Sequence, residues 1–88
     1  TAIMVDCSHG NSNKDFTKQP LVLQNVIQTM NSFPNLIGVM LESNLLSGNQ
    51  KLIFGEKHNL KYGISITDSC IDITTTENII FSSYQLIN

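Results

Sequence analysis

Leu36-Ile37-Gly38-Val39-Met40-Leu41 is a run with no polar side chain on either face, and it stops abruptly at Glu42-Ser43-Asn44. A strand with one wet face alternates apolar and polar residues. A strand covered on both faces does not, and that pattern belongs to parallel sheets flanked by helices. A shorter run of the same kind, Ala2-Ile3-Met4-Val5, ends in Asp6-Cys7-Ser8-His9-Gly10-Asn11. Between the two runs, Leu23, Val26, Ile27 and Met30 recur at helical spacing and share one face. Pro20 suits the first turn of that helix, where its missing N–H leaves nothing unpaired. Phe16 extends the pattern upstream at the expense of a kink at Pro20. Phe33-Pro34 closes the helix, because the residue before a proline is driven out of the α region.

The second run leads into a long connection, roughly residues 44 to 64, punctuated by Gly48, Gly55 and Gly63. Connections of that length are uncommon inside compact domains unless they serve a function. Leu52-Ile53-Phe54 and Leu60-Lys61-Tyr62 suggest a small hairpin within it, and Gly48-Asn49-Gln50 reads as a turn. Ile64-Ser65-Ile66-Thr67-Asp68 is short and strand-like. A last helix is expected from about Thr75 to Leu86, started by a capping box of Thr74 and Glu77. Ile79, Ile80 and Leu86 would supply its buried side. Strand, helix, strand, helix with buried strands means an α/β fold with parallel pairing. The units divide as 1–35 and 36–88. Two such units make a quarter of a (β/α)8 barrel or a corner of an open sheet, and the pattern alone leaves both open.

Composition narrows the function. The formal net charge of the 88 residues is −2, and all five basic residues other than histidine are lysines. No basic stripe exists to follow a phosphate backbone, which argues against nucleic-acid binding. The apolar runs are too short to span a bilayer, and no basic leader precedes the first of them. Cys7 and Cys70 lie far apart and read as free thiols of a reducing, cytoplasmic compartment. The first strand begins almost at residue 1, which leads us to expect a piece of a longer protein.

Three polar groups stand just past apolar or extended runs: His9, Glu42 and Asp68. Ligands of parallel α/β proteins gather at the carboxyl ends of strands. One imidazole and two carboxylates suit a divalent first-row metal such as manganese or iron. Three protein ligands would leave positions open for a substrate oxygen. The separations are too wide for a local motif, so the set has meaning only if the fold gathers strand ends. Plainer readings stand beside this one. Taken alone, His9 reads first as a loop histidine capping backbone groups, and Asp68 reads equally as a turn cap with Ser69. Cys7, two residues before His9, is read as packing, Cys being among the most buried residue types. His58 is read as solvated.

Four segments carry a resemblance: Ile3-Met4-Val5-Asp6-Cys7-Ser8-His9-Gly10-Asn11-Ser12, Ile37-Gly38-Val39-Met40-Leu41-Glu42-Ser43, Gly48-Asn49-Gln50 and Tyr62-Gly63-Ile64-Ser65-Ile66-Thr67-Asp68-Ser69-Cys70-Ile71. In order and spacing they resemble the type I 3-deoxy-D-arabino-heptulosonate 7-phosphate (DAHP) synthases, and the Asp-Cys-Ser-His wording is most similar to tyrosine-sensitive members. The resemblance implies the last two βα units of a (β/α)8 TIM barrel. It implies the condensation of phosphoenolpyruvate with erythrose 4-phosphate at the head of the shikimate pathway. It also places His9, Glu42 and Asp68 on three of the family's four metal ligands, and His9 and Asp68 among its catalytic groups. The fourth ligand is a cysteine matched by neither Cys7 nor Cys70, and the family's phosphate-binding arginines have no counterpart here. The 88 residues alone are therefore expected to be inactive and to form a homo-oligomer. The alternative is a non-catalytic βα module, metal-binding or assembly-forming, that stands alone.

Overall fold

A computed structural model describes residues 1–9 and 15–87. The Gly10-Asn11-Ser12 part of the first motif lies outside the described residues. The order is β1 (Ile3–Asp6), a 3-10 turn (Phe16–Lys18), α1 (Gln19–Met30), β2 (Leu36–Met40), a second 3-10 turn (Lys57–Asn59) and α2 (Ile73–Leu86). β1 and β2 pair in parallel, with Met4 opposite Gly38, Val5 opposite Val39 and Asp6 opposite Met40. The register slips between Ile3 and Met4.

α1 begins as its sequence demands. Asp15 accepts a hydrogen bond from the Thr17 N–H and starts the 3-10 turn. Pro20 sits in the first turn of α1, so Phe16 belongs to the turn before the helix and no kink is needed. The expected apolar face is there: Leu23 and Ile27 are buried, with Val22, Val26 and Met30 partly covered. They pack with Cys7, Val39, Leu41 and Ile79 into one core. Cys7 is thus a packing residue. Complete burial of a side chain the size of Leu23 contributes about 1.5–3 kcal/mol.

Several expectations fail, and the physical reasons differ. The strands are covered on one face only: Leu36 is buried, but Ile37 and Met4 are exposed, because these residues supply helices to a single side. The Leu52–Phe54 and Leu60–Tyr62 hairpin does not form. A turn at Phe54-Gly55 and the Lys57–Asn59 3-10 turn take up that chain, and the backbone of Lys61 bonds to the Gln50 side chain instead. The Thr74 and Glu77 capping box is displaced by Asp72, whose carboxylate accepts from the Thr75 N–H at 2.9 Å, so α2 starts at Ile73. Of the expected buried side of α2, Ile79 reaches the core while Ile80 and Leu86 stay exposed.

The run 64–68 is not a regular strand. Isolated bridges hold the neighbouring chain: Ser43 with Ile71, Gly48 with Cys70 and Asn49 with Ser65. Gly48-Asn49-Gln50 is more than a turn. The Gln50 amide donates to the Lys61 and Ile64 carbonyls, each at 2.8 Å, and accepts from the Lys61 N–H at 2.9 Å. The Asn49 amide donates to the Thr67 carbonyl at 2.9 Å. Gly63 must be glycine here: its φ is +82°, and an added Cβ would come within 3.0 Å of the Leu45 Cβ.

Candidate metal centre

β1 ends at Asp6, and the chain turns at once over its carboxylate. The Ser8 N–H and hydroxyl both donate to Asp6 Oδ1, at 2.8 and 2.6 Å. Asp6 Oδ2 lies 2.6 Å from His9 Nδ1. The Ser8 hydroxyl is spent on one carboxylate oxygen and the other accepts only, so Nδ1 is the atom that donates to it. Asp6 thereby fixes the ring and turns Nε2 outward. These contacts have electrostatic counterparts. The Asp6 carboxyl is held below its usual value, first by the Ser8 hydroxyl. His9 is raised above its usual value, first by Asp6 and then by Asp68.

Nε2 of His9 faces two carboxylates, Glu42 Oε1 at 3.1 Å and Asp68 Oδ2 at 3.1 Å. His9 follows β1, Glu42 follows β2 and Asp68 follows the isolated bridge at Ser65, so two strand ends and one irregular segment gather these three residues. One ligand atom from each lies within 4.8 Å of the others. With the Nδ1 proton committed to Asp6, a neutral His9 would point its Nε2 lone pair at two anionic oxygens. Such an arrangement asks for a positive charge between the groups, supplied by a proton or by a cation. A nitrogen and two carboxylate oxygens make a fitting donor set for a divalent first-row ion. Glu42 is the least exposed of the three side chains, at 20%, and Asp68 the most, at 57%.

Two residues that matter here escaped the sequence reading of the site. Asp6 was visible as part of a motif but not as the partner that orients His9. Gln19 was not visible at all. Its side chain is fully buried and bonds to the backbone of Glu42 on both sides. A glutamine in the first turn of a helix looks like ordinary helix surface, and no local spacing ties it to Glu42. Cys70 is buried and free; burial pushes its thiol and that of Cys7 upward. His58 lies on the exposed 3-10 turn and is not one of the clustered residues.

A model of the DAHP synthetase I family matches residues 1–80. The Tyr-sensitive phospho-2-dehydro-3-deoxyheptonate aldolase of Escherichia coli is 42% identical over 88 residues, covering 99% of this chain and 24% of that protein. The phenylalanine-inhibited aldolase of Saccharomyces cerevisiae is 48% identical over 80 residues, covering 89% of this chain and 22% of that protein. Among solved structures, the phospho-2-dehydro-3-deoxyheptonate aldolase of Francisella tularensis superposes with a TM-score of 0.88 at 40% identity, over 99% of this chain and 25% of that one. The chain thus spans about a quarter of the length of these relatives.

Proposed function

Because the chain belongs to the DAHP synthetase I family, we propose that it forms the last two βα units of a (β/α)8 barrel with DAHP synthase activity. The reaction would join C3 of phosphoenolpyruvate to the aldehyde carbon of erythrose 4-phosphate, with water adding at C2 and inorganic phosphate leaving. It would open the shikimate route to the aromatic amino acids. The observation that carries this reading is the convergence of His9 Nε2, Glu42 and Asp68 past three separate runs of chain.

In this reading the three residues hold a divalent ion, manganese or iron, which when bound would polarise the aldehyde oxygen. Asp6 keeps its hydrogen bond to Nδ1, so the Nε2 lone pair stays directed at the ion. Glu42, the most sheltered ligand, supplies fixed negative charge. Asp68, the most open, meets the substrate side and a hydroxyl of the sugar phosphate. His9 and Asp68 are thereby catalytic as well as ligating. The phosphates need cationic side chains, and the 88 residues hold five lysines and no arginine. Substrate positioning can supply roughly 7–11 kcal/mol of barrier reduction. The isolated 88 residues are therefore proposed to give no turnover.

The enzyme is proposed to be cytoplasmic, in keeping with two buried free thiols. Among the described residues no helix is long and apolar enough to cross a membrane. The isolated 88 residues are also proposed to form a homo-oligomer, since among the described residues β1 and β2 pair only with each other and expose Met4 and Ile37. Light scattering over a dilution series checks this; a cooperatively unfolding monomer would contradict it. The site is tested by titrating manganese against the chain and against His9→Ala. Weaker binding by the variant is expected, and equal affinity would remove His9 from the site. Phosphate release by the isolated 88 residues, dependent on both substrates, would overturn the division of labour.

A further inference from the structure

Glu42 lies beyond the last paired residue of β2, so the sheet does not hold it. Its N–H donates to Gln19 Oε1 at 3.0 Å, and its carbonyl accepts from Gln19 Nε2 at 3.2 Å. The same carbonyl accepts from the Ile71 N–H at 3.0 Å. One side-chain amide therefore does for Glu42 what a neighbouring strand does for a residue within a sheet. Gln19 itself is 0% exposed, which is rare for an uncharged polar side chain without a specific task. It stands in the first turn of α1, whose position the packing of Leu23 and Ile27 fixes. The amide of Gln19 thus joins the first turn of α1 directly to the backbone of Glu42.

We propose that Gln19 is a positioning residue for the metal centre, clamping the Glu42 backbone so that its carboxylate meets His9 Nε2. This rests on the metal reading of the site given above. Ile71 bonds only to the carbonyl, so without Gln19 the Glu42 N–H loses its partner and the peptide is free to tilt. Asn cannot replace Gln19, since its amide falls one methylene short. Methionine fills nearly the same volume and offers neither bond.

The test uses the full-length protein and two variants, Gln19→Met and Leu23→Ala. Leu23→Ala loosens the same helix through the core and leaves both hydrogen-bonding partners, the Gln19 amide and the Glu42 backbone, unaltered in sequence. Two quantities are read: affinity for manganese, from the resonance of the free ion, and amide hydrogen exchange at residue 42. We expect Gln19→Met to weaken manganese binding roughly 10–100-fold, the range for groups that support metal ligands. We expect faster exchange at Glu42 while Val39 keeps its protection. Leu23→Ala should lower the melting temperature and leave manganese affinity within about twofold of the original, a small change beside that range. Unchanged affinity in Gln19→Met overturns the proposal. So does an equal loss in Leu23→Ala, which would make general loosening the cause. If the unaltered protein takes up no manganese, the metal reading fails, and exchange still decides Gln19. Selective loss of protection at residue 42 then supports the clamp, and unaltered or sheet-wide exchange overturns it.

Discussion

The two halves of the chain are held together by different forces. The first, β1–α1–β2, is a packing structure: Cys7, Leu23, Ile27 and Leu36 are all buried, and α1 presents a continuous apolar stripe to the strands. The second, residues 43 to 87, is chiefly a hydrogen-bonded structure. α2 contains no buried residue, and Ile73, Ile80, Phe81 and Tyr84 are exposed on it. The loop before it depends on the Gln50 and Asn49 amides, on isolated bridges, and on the Ser43–Thr76 hydroxyl contact at 2.5 Å. The cluster of His9, Glu42 and Asp68 draws on both. His9 and Glu42 are fixed by the packed half, and Asp68 is delivered by the hydrogen-bonded one.

The largest test of this contrast is truncation in the core. Leu23→Ala should destabilise by about 2–5 kcal/mol, the usual range for a buried leucine. Ile80→Ala, half exposed on α2, should cost less than about 1 kcal/mol. Urea unfolding of both variants measures the difference, and equal losses would show that α2 is as much a packing element as α1.

Gly63→Ala should come next, at roughly 1–2 kcal/mol for a non-glycine residue forced to positive φ. Its effect should be regional. The Leu46 N–H bonded to the Gly63 carbonyl at 2.9 Å should exchange faster, while the amides of α1 keep their protection. Loss of protection throughout α1 would mean that the two halves unfold as one.

Much of the packed half was legible before any coordinates. Leu23, Val26, Ile27 and Met30 declared a helical face because burial enforces a period, and Pro20 declared where the helix starts. The three polar residues of the site were legible for a related reason. Each stands just past an apolar or extended run, and the fold brings those three ends of chain together. The hydrogen-bonded half was read less well. Its order lies in side-chain amides reaching across the loop, as Gln50 does to Lys61, and such reach leaves no period in a sequence. Asp72 and Thr74 stand two residues apart, and both are good caps. Which one starts the helix depends on where the preceding chain is pinned, here by the Ile71–Glu42 backbone bond. Gln19 was hidden because its partner is a backbone, which has no sequence of its own.

The smallest expected effect concerns that cap. The Asp72 carboxyl is held below its ordinary value of 3.8, first by its bond from Thr75. A lowered folded value means that this contribution is fully present above the unfolded value and is lost as pH falls through the folded one. Acid titration of the helical circular dichroism should therefore show a step that is missing in Asp72→Ala. A variant with the same acid profile would show that the cap adds nothing.

The Gln50 amide has one more consequence. It ties both the N–H and the carbonyl of Lys61 back to position 50, so the excursion that contains residues 51 to 59 leaves and returns through a neck closed by a single side chain. Within 51–59 every described residue is exposed, and the backbone bonds are local, such as Glu56 N–H to Ile53 and Asn59 N–H to Glu56. Lengthening a loop whose ends are already joined costs little, because closure entropy grows only with the logarithm of its length. A peptide or label inserted within 51–59 is therefore expected to leave the positions of Glu42 and Asp68 undisturbed.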